Sequence, residues 1–479
     1  MRHAPTAKGG GSLRRTKIVV TVGPASKDPQ TLRRMAQLVD IFRINFSHGD
    51  RPSHLQEIRA IRGVAKSLGR TVAVLQDLPG PKIRVGRMAN GSADLIRGES
   101  LTLVSQDEEG TSSRIPINNP DLLNSVEKGD MLHLADGIIQ LRVEERAAEG
   151  VRCLVVAGGV LGSGKGVNAP GVKLKVEYPT QNDRAHLEFG LREGVDFVAL
   201  SFVRSAADVR AVKKLIPADG PMLIAKIEKK EAVRNFAEII EEVGGAMVAR
   251  GDLGIEAPIE TVPSIQKSII NKCNAAGKPV IVATQMLVSM VNFPVPSRAE
   301  VTDVTTAILE GTDAVMLSDE TTVGKYPVEA VRMLDKIARS AERSPQTYPT
   351  PREPRPEDTG SAIARAACRL ADYVGAKAIV APTQTGSTAR RVSMYRPRQP
   401  IIALCTDPVV ARRLKLYRGV TPIMSRQAKT VDWLFEKADA AAQRLGIASS
   451  GDRIVVTSGT PGMKGTTNLI KVSIVGSRA

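Results

Sequence analysis

Met222-Leu-Ile-Ala-Lys226-Ile-Glu228 opens the stretch that decides the fold, which runs on as Lys-Lys-Glu-Ala-Val233-Arg-Asn-Phe236-Ala-Glu-Ile239-Ile240-Glu-Glu-Val243-Gly-Gly-Ala246-Met-Val-Ala249-Arg250-Gly251-Asp252. Met222–Ile227 is apolar apart from Lys226 and ends at a carboxylate, as a buried strand does. Lys229–Val243 then spaces Val233, Phe236, Ile239, Ile240 and Val243 as one face of a helix. Ala246–Ala249 is apolar again and stops at Arg250 and Asp252. Strand, helix and strand in so short a span make a βαβ unit, which implies parallel strands.

Working outward, the unit repeats. Lys17–Val22, Ile41–Asn45, Thr71–Leu75, Val195–Ser201, Met222–Ile227, Ala246–Ala249, Pro279–Thr284 and Asp313–Leu317 are short apolar runs that end in polar residues. The stretches 262–276, 297–310 and 327–342 have helical spacing. Apart from one large gap, successive runs start roughly 24–34 residues apart, room for a strand, a helix and two loops. The class is α/β, and eight such strands fit a (β/α)8 TIM barrel. A doubly wound open sheet competes, and strand count does not separate the two.

The gap at 82–174 lacks helical periodicity and holds short strand-like runs (Ser100–Val104, Met131–Leu134, Gly137–Val143, Val151–Val156). A small inserted β domain is expected there, dividing the barrel into 16–81 and 175–344. Residues 1–15, with Gly9-Gly10-Gly11-Ser12, read as a flexible tail, and 345–358, with five prolines, as a linker. The remainder, 359–479, alternates helix and strand as a separate α/β domain: 361–374, 377–381, 387–395, 400–405, 408–417, 430–445, 453–457 and 468–475.

Composition narrows the function. Of 479 residues, 67 are Lys or Arg and 50 Asp or Glu, a net charge of +17, with 42% hydrophobic and 3% aromatic. That is globular composition. Four scattered cysteines without a CxxC exclude a disulfide scaffold and a Cys-ligated zinc, and suit a reducing cytoplasm. No apolar run approaches a membrane span, and the N-terminus has no secretory h-region. Residues 351–479 hold 21 basic against 9 acidic groups. Without an aromatic-interleaved basic stripe, nucleic acid is not the expected partner. A small phosphorylated ligand or an acidic neighbour is.

Barrel enzymes work at the C-terminal ends of their strands. Those ends supply Arg43, Asn45, Ser47 and His48, then Asp77, Ser201 and Arg204, Lys226 and Glu228, Arg250 and Asp252, Thr284 and Gln285, and Ser318 and Glu320. Glu228 and Asp252, on consecutive strands without a nearby histidine, suit a hard cation such as Mg2+. Lys226, two residues before Glu228, faces the same side of its strand. With Arg43 and Arg84 it suits neutralising a phosphoryl group in transfer. The competing reading of Lys226 is an inward lysine merely paired to Glu228.

Two glycine-containing stretches need separating. Gly159-Val-Leu-Gly-Ser-Gly164-Lys165-Gly166 nearly fits a phosphate-binding P-loop, but Gly166 stands where the magnesium-holding hydroxyl belongs and Pro170 follows, so no helix opens. Thr383-Gln-Thr385-Gly386-Ser387-Thr388 does lie between a strand and a helix. It reads either as an anion site or as ordinary capping.

Several strings are family-specific in combination. Thr16-Lys-Ile-Val-Val-Thr-Val-Gly-Pro24-Ala-Ser26, Arg43-Ile-Asn-Phe-Ser-His-Gly49, Ala225-Lys-Ile-Glu228, Met247-Val-Ala-Arg-Gly-Asp-Leu-Gly254, Ala283-Thr-Gln-Met286, Pro296-Ser-Arg-Ala-Glu300 and Tyr395-Arg-Pro397 resemble pyruvate kinase, in order from about residue 16 onward. The resemblance implies a barrel with a lid-like β domain after its third strand and a C-terminal α/β domain. It implies phosphoryl transfer from phosphoenolpyruvate to ADP, giving pyruvate and ATP in glycolysis, with Mg2+ (or Mn2+) held by Glu228 and Asp252. Lys226 would stabilise the transferring group and Arg43 grip the phosphate. Gly251, Asp252 and Thr284 would bind the substrate carboxylate, with Thr284 near the site of enolate protonation. Pro24, Asn45, His48 and Arg84 would face the nucleotide. A homotetramer meeting near Arg298, and allosteric control at Thr383, Thr385, Gly386, Ser387 and Thr388, complete the implied picture.

The departures carry expectations of their own. Asn45, Ser47, Asp77 and Leu78 occupy the positions of the family's K+ site, but Leu78 offers only a carbonyl, and Lys82 replaces a glutamate. A lysine ammonium there resembles the potassium-independent branch, so K+ should not be required, because two cations in one small site repel. Asn182 replaces a nucleotide-contacting lysine, and Asp319 stands where the family has glycine. Ser458–Thr467 lacks the Trp and Arg of fructose-bisphosphate-regulated members, which leaves another sugar phosphate, a nucleotide monophosphate or no effector. A magnesium-dependent barrel lyase and a silent paralogue are the rival readings. The first has no use for Pro24, His48 and Arg84, and the second none for Lys226, Glu228, Asp252 and Thr284.

Overall fold

The computed structural model describes residues 13–105, 108–147, 149–172, 176–343, 358–428, 430–460 and 467–477. Most of the expected tail (1–12) and linker (345–357), and part of the C-terminal loop (461–466), lie outside the described residues.

Eight parallel strands close into a ring: β1 (Lys17–Thr21), β2 (Ile41–Asn45), β3 (Ala73–Leu78), β4 (Phe197–Leu200), β5 (Met222–Ile227), β6 (Gly245–Ala249), β7 (Val280–Ala283) and β8 (Ala314–Leu317). β1 pairs with both β2 and β8, which excludes the open sheet. Helices between the strands are punctuated by their own sequence. Arg51–Leu68, for example, starts at Asp50, which shares a capping box with Ser53, and stops at left-handed Gly69. Such an N-cap is worth about 1 kcal/mol.

Alternation along each strand sorts the side chains. Ile18, Val20, Ile44, Val198, Ile227 and Val248 face the helices. Val19, Ile41, Leu75, Phe197, Ile224, Met247, Ile281 and Met316 fill the barrel interior. Fully burying each large apolar side chain contributes about 1.5–3 kcal/mol. The inward register, carried two residues at a time to the strand ends, reaches Thr21, Arg43, Asn45, Asp77, Ser201, Lys226 and Glu228. The packing that fixes the barrel therefore also aims these polar groups at one opening.

β3 was expected to end at Leu75 and instead runs to Leu78. Asn45 pairs in register with Asp77, and Leu200 with Leu78, so the neighbouring strands extend it.

After β3 the chain leaves the barrel. A seven-stranded sheet runs in the order Ile83–Arg84, Gly166–Asn168, Met131–Leu134, Ile139–Ala147, Gly150–Ala157, Ser100–Val104 and Arg114–Pro116. Its ends meet where the Gly86 N–H donates to the Pro116 carbonyl (2.8 Å) and the Asn118 N–H to that of Arg84 (3.1 Å). The result is a small β-barrel around Leu103, Ile115, Leu132, Ile139 and Leu141. One short helix, Pro120–Ser125, departs from the all-β expectation and is capped by Asn119. The glycine-rich stretch is strand, turn and strand (Gly159–Gly162, Gly166–Asn168), not a loop opening a helix.

The C-terminal sheet has strands β9 (Ile379–Thr383), β10 (Ile401–Cys405), β11 (Val420–Met424), β12 (Arg453–Ser458) and β13 (Leu469–Ile474), in the order β11-β10-β9-β12-β13, with β13 antiparallel. β11 was not expected from the sequence. Pro422 obscured it, and its edge position is where a strand tolerates proline.

Much of the basic surplus is used against the base of the barrel. Arg396 meets Asp313, Arg412 meets Asp196 and Lys415 meets Asp40, each at 2.6 Å. The buried Lys17 ammonium donates to the Val420 carbonyl at 2.6 Å. Burial lowers the Lys17 pKa to about 7, although Asp40 opposes the shift. The acidic neighbour foreseen for this domain is thus the barrel itself. Among the described residues no helix is long and apolar enough to cross a membrane.

Candidate active site

Four strand ends converge on Lys226. Its ammonium, buried at the top of β5, lies 2.8 Å from Glu228 Oε1, 2.7 Å from Ser201 Oγ and 3.3 Å from Asp77 Oδ1. Burial opposes its charge, but Asp77 and Glu228 outweigh that and raise the pKa to about 12. Asp77 also accepts from Arg43 Nε (2.6 Å) and Ser201 Oγ (3.2 Å). Burial favours the protonated Asp77, yet Lys226 and Arg43 hold its pKa below the ordinary carboxylate value. Arg43 is steered from its other side by Thr21 Oγ1 at 2.9 Å.

Glu228 behaves differently. Burial raises its pKa, Lys226 opposes the shift and Asp252 adds to it. Two carboxylates that repel at a strand end form a donor pair for a hard cation, which takes one or two protein carboxylates and completes its shell with substrate oxygens and water. No group of three or more His, Cys, Asp or Glu fit to hold a metal occurs among the described residues.

Asp252 sits in the first turn of the short helix Arg250–Glu256 that follows β6. Beside it the Gly251 N–H donates to Thr284 Oγ1 at 2.8 Å, and that hydroxyl donates to the Ala283 carbonyl at 2.6 Å. Thr284 is left-handed (φ 70°), as is Gln285 (φ 54°). A threonine with positive φ is a strained position that the surroundings must hold. Arg250 does so, donating to the Thr284 carbonyl (2.7 Å) while paired to Asp303 (2.7 Å). Arg250 thus serves as scaffolding. So does Glu320, whose carboxylate accepts from the Leu287 and Ser318 N–H groups.

A cleft of about 560 Å³ opens on the other side, lined by Pro24, Lys27, Arg43, Asn45, His48 and Asp319 among others. Burial lowers the His48 pKa, with Arg84, Lys82 and Arg43 adding to the effect. Those three cations therefore bear on one place. Arg84 belongs to the lid, where its guanidinium donates to the Gly164 carbonyl at 2.9 Å. The glycine-rich turn has a use after all, as a brace for Arg84. Asn182 is exposed in the first turn of the helix Gln181–Arg192.

At the K+ positions, Asn45 Oδ1 accepts from the Ser47 N–H at 3.1 Å, Asp77 is engaged as above and the Leu78 side chain is buried. The Lys82 ammonium lies 3.8 Å from Asp252 Oδ1, so its ion pair is with that carboxylate. It also sits 5.9 Å from the Phe202 ring centroid.

The turn Ser201-Phe202 has a larger part than the sequence suggested. Ser201 Oγ bridges Lys226 and Asp77, and the Phe202 N–H donates to Glu228 Oε2 at 2.7 Å. Phe202 is left-handed (φ 57°), and the Tyr178 hydroxyl ties down the Ser201 carbonyl at 3.0 Å. The sequence carries part of this signal, since Ser201 is a polar group at a strand end. The donation from Phe202 is a backbone contact that no residue type announces. Glu256, buried at the end of the helix Arg250–Glu256, carries no sequence signal of its own. It pairs with Lys229 (2.6 Å) and accepts from lid residue Asn168 (3.5 Å).

In the C-terminal domain Thr383, Thr385, Ser387 and Thr388 line a small cavity of about 80 Å³ with Arg426 and Trp433. Gly386 caps the helix Ser387–Met394 with φ 85° and borders a different cavity. Thr388 Oγ1 lies 2.9 Å from Thr467 Oγ1.

Comparison with known proteins agrees with this layout. Residues 13–331 match the family described as "Pyruvate kinase, barrel domain", and 361–473 that described as "Pyruvate kinase, alpha/beta domain". "Pyruvate kinase 2" of Synechocystis sp. is 47% identical over 470 residues, 96% of this chain and 79% of that protein. "Pyruvate kinase" of Geobacillus stearothermophilus is 44% identical over 472 residues (96% and 80%). That of Thermococcus litoralis is 44% identical over 459 residues (93% and 95%).

Proposed function

The chain belongs to the pyruvate kinase family and is a phosphotransferase, and from that premise we propose how its residues divide the work. Phosphoenolpyruvate gives its phosphoryl group to a terminal phosphate oxygen of ADP. The bond from phosphorus to the enol oxygen breaks, and the enolate left behind gains a proton at its methylene carbon to become pyruvate. The transition state is loose, so catalysis is mostly positioning and charge neutralisation. The observation that carries this reading is the Lys226 cluster, with Glu228, Asp77 and Ser201 within 3.3 Å of one ammonium.

Glu228 and Asp252 are the residues that would hold Mg2+ (or Mn2+), which supplies Lewis-acid neutralisation of phosphoryl and carboxylate oxygens. Lys226 faces the transferring group, and its raised pKa keeps it charged throughout the neutral range. Arg43, held by Asp77 and Thr21, grips the phosphate. The substrate carboxylate lies against Gly251, Asp252 and Thr284, and the Thr284 hydroxyl carries a proton beside the enolate carbon. Pro24, Asn45, His48 and Arg84 receive the nucleotide, His48 as a neutral imidazole.

Lys82 supports a K+-independent enzyme. Its ammonium brings a fixed positive charge to Asp252, one of the two carboxylates that would hold the divalent cation, so that a monovalent cation need not supply one. Asn45, Ser47, Asp77 and Leu78 then serve without K+. The hydroxyl-lined cavity at Thr383, Thr385, Ser387 and Thr388 supports an effector phosphate site, for a sugar phosphate or nucleotide monophosphate. Exposed Phe293 (62%) and Val295 (61%), close in sequence to Arg298, support a homotetramer that covers them. The reading places the enzyme in glycolysis, in the cytoplasm. A coupled assay of ADP-dependent pyruvate release, with Mg2+, KCl and sugar phosphates varied singly, tests it. No pyruvate under any combination refutes it.

A further inference from the structure

Two contrasting sets stand out among the cations of residues 390–418. Arg391, Arg396, Arg412 and Lys415 each meet a carboxylate at 2.6 Å. Arg390 and Arg413 lie within ion-pairing distance of no carboxylate among the described residues. Arg390 bonds the Tyr417 side chain, and Arg413 donates one terminal nitrogen to the Asp219 carbonyl at 2.7 Å. Arg413 Nε is buried without a partner among the described residues. Burial holds the Arg413 pKa below its ordinary value, although Asp196 and Asp407 pull it up.

These two guanidinium groups border one cavity. It lies between the barrel base and the C-terminal domain and measures about 500 Å³. Met222, Leu223, Leu414 and Tyr417 make an apolar floor, and Lys213, Arg390 and Arg413 stand around it. The one carboxylate in the wall, Glu242, already serves both Arg210 and Lys213 at 3.1 Å each. Positive charge therefore exceeds negative at this wall, in a space the size of a small-molecule site. The wall shared with the hydroxyl-lined cavity is Thr385, which borders both.

We propose that this junction cavity is a second ligand site, which takes a small organic phosphomonoester with its phosphate between Arg390 and Arg413 and an apolar-faced body on the Tyr417 floor. Guanidinium groups suit phosphate because their planar donors match its oxygens in pairs. An apolar floor beside a cationic rim fits a body such as a nucleoside better than one covered in hydroxyls.

The test is calorimetric titration of the full-length protein with AMP, adenosine and glucose 6-phosphate, read as binding and so independent of turnover. AMP should bind, and adenosine, which lacks only the phosphate, at least about tenfold more weakly, the equivalent of one lost charge-assisted hydrogen bond. Arg390→Gln and Arg413→Gln should each weaken AMP binding at the junction about tenfold or more on the same grounds, while Ser387→Ala, which borders only the neighbouring effector cavity, should affect at most a second, separate binding event there. Arg413 also fastens the Asp219 loop, so thermal unfolding checks that variant, and Arg390→Gln stands as its independent counterpart. The proposal is overturned if AMP does not bind, if adenosine binds as tightly, if glucose 6-phosphate binding is weakened by the arginine variants as much as AMP binding, or if AMP binding survives both arginine variants and is abolished by Ser387→Ala.

Discussion

Replacing Lys82 by Glu restores the residue type that the family carries beside its K+ site, and it tests the role of a fixed cation. The ammonium lies 3.8 Å from Asp252 Oδ1. Two unit charges about 4 Å apart interact by about 4 kcal/mol at the effective dielectric of a protein surface, of order 20. Both side chains are roughly a quarter exposed, at 27% and 23%, so solvent screens much of that. A realistic remainder is about 1–2 kcal/mol, or about 5- to 30-fold in turnover. Reversing the charge also places a third acidic group near Glu228 and Asp252, which should make an external monovalent cation useful. Pyruvate release is measured in Na+ buffer with and without KCl at constant ionic strength. Wild type should be indifferent to KCl, whereas Lys82→Glu should lose activity without it and regain it with it. Strong activation of wild type by KCl, or a variant as active as wild type without it, would refute the reasoning.

Three further outcomes follow from the same geometry. Ser201→Ala removes one of three partners of the Lys226 ammonium and should lower kcat by about 10- to 100-fold, the worth of a charged hydrogen bond, with little change in KM; Ser201→Thr should recover part of the loss, and a purely structural role would instead appear as a lower melting temperature. Arg84→Ala should raise the KM for ADP several-fold more than that for phosphoenolpyruvate in steady-state titrations. Lys17 has a folded pKa near 7 against an ordinary 10.5, so between those values the unfolded chain binds the extra proton and stability should rise with pH. Urea midpoints at pH 7 and pH 9.5 should show that rise in wild type and a smaller one in Lys17→Met; equal rises in both would remove Lys17 as the cause.

What the sequence disclosed depended on which physical signal each element left. β5 and β6 were legible because an apolar run bounded by Glu228 or Arg250 has few other readings. Inward-facing polar groups such as Arg43 and Lys226 were legible because strand alternation carries over to the strand ends. β11 was lost because Pro422 looks like a break unless the strand lies at an edge. The extension of β3 to Leu78 comes from ladder partners on β2 and β4, which local sequence does not encode. The ion pair of Lys82 with Asp252, and the brace of Arg84 by Gly164, depend on how the lid stands over the barrel. Arg390 and Arg413, which meet no carboxylate at ion-pairing distance among the described residues, became visible only once their neighbours had found aspartates.

The account rests most heavily on Lys226. Its replacement by Met removes a buried ammonium and leaves Glu228 without its counter-charge, while Asp77 keeps its pair with Arg43; losing one partner of a buried pair costs about 3–5 kcal/mol in stability if nothing relaxes. The decisive measurement is ADP-dependent pyruvate release by purified Lys226→Met protein, in Mg2+, with folding verified by circular dichroism. A folded variant with turnover reduced about 1,000-fold or more, the scale of a lost cation on a transferring phosphoryl group, is the result predicted. A folded variant that releases pyruvate at a rate near that of wild type would contradict the account.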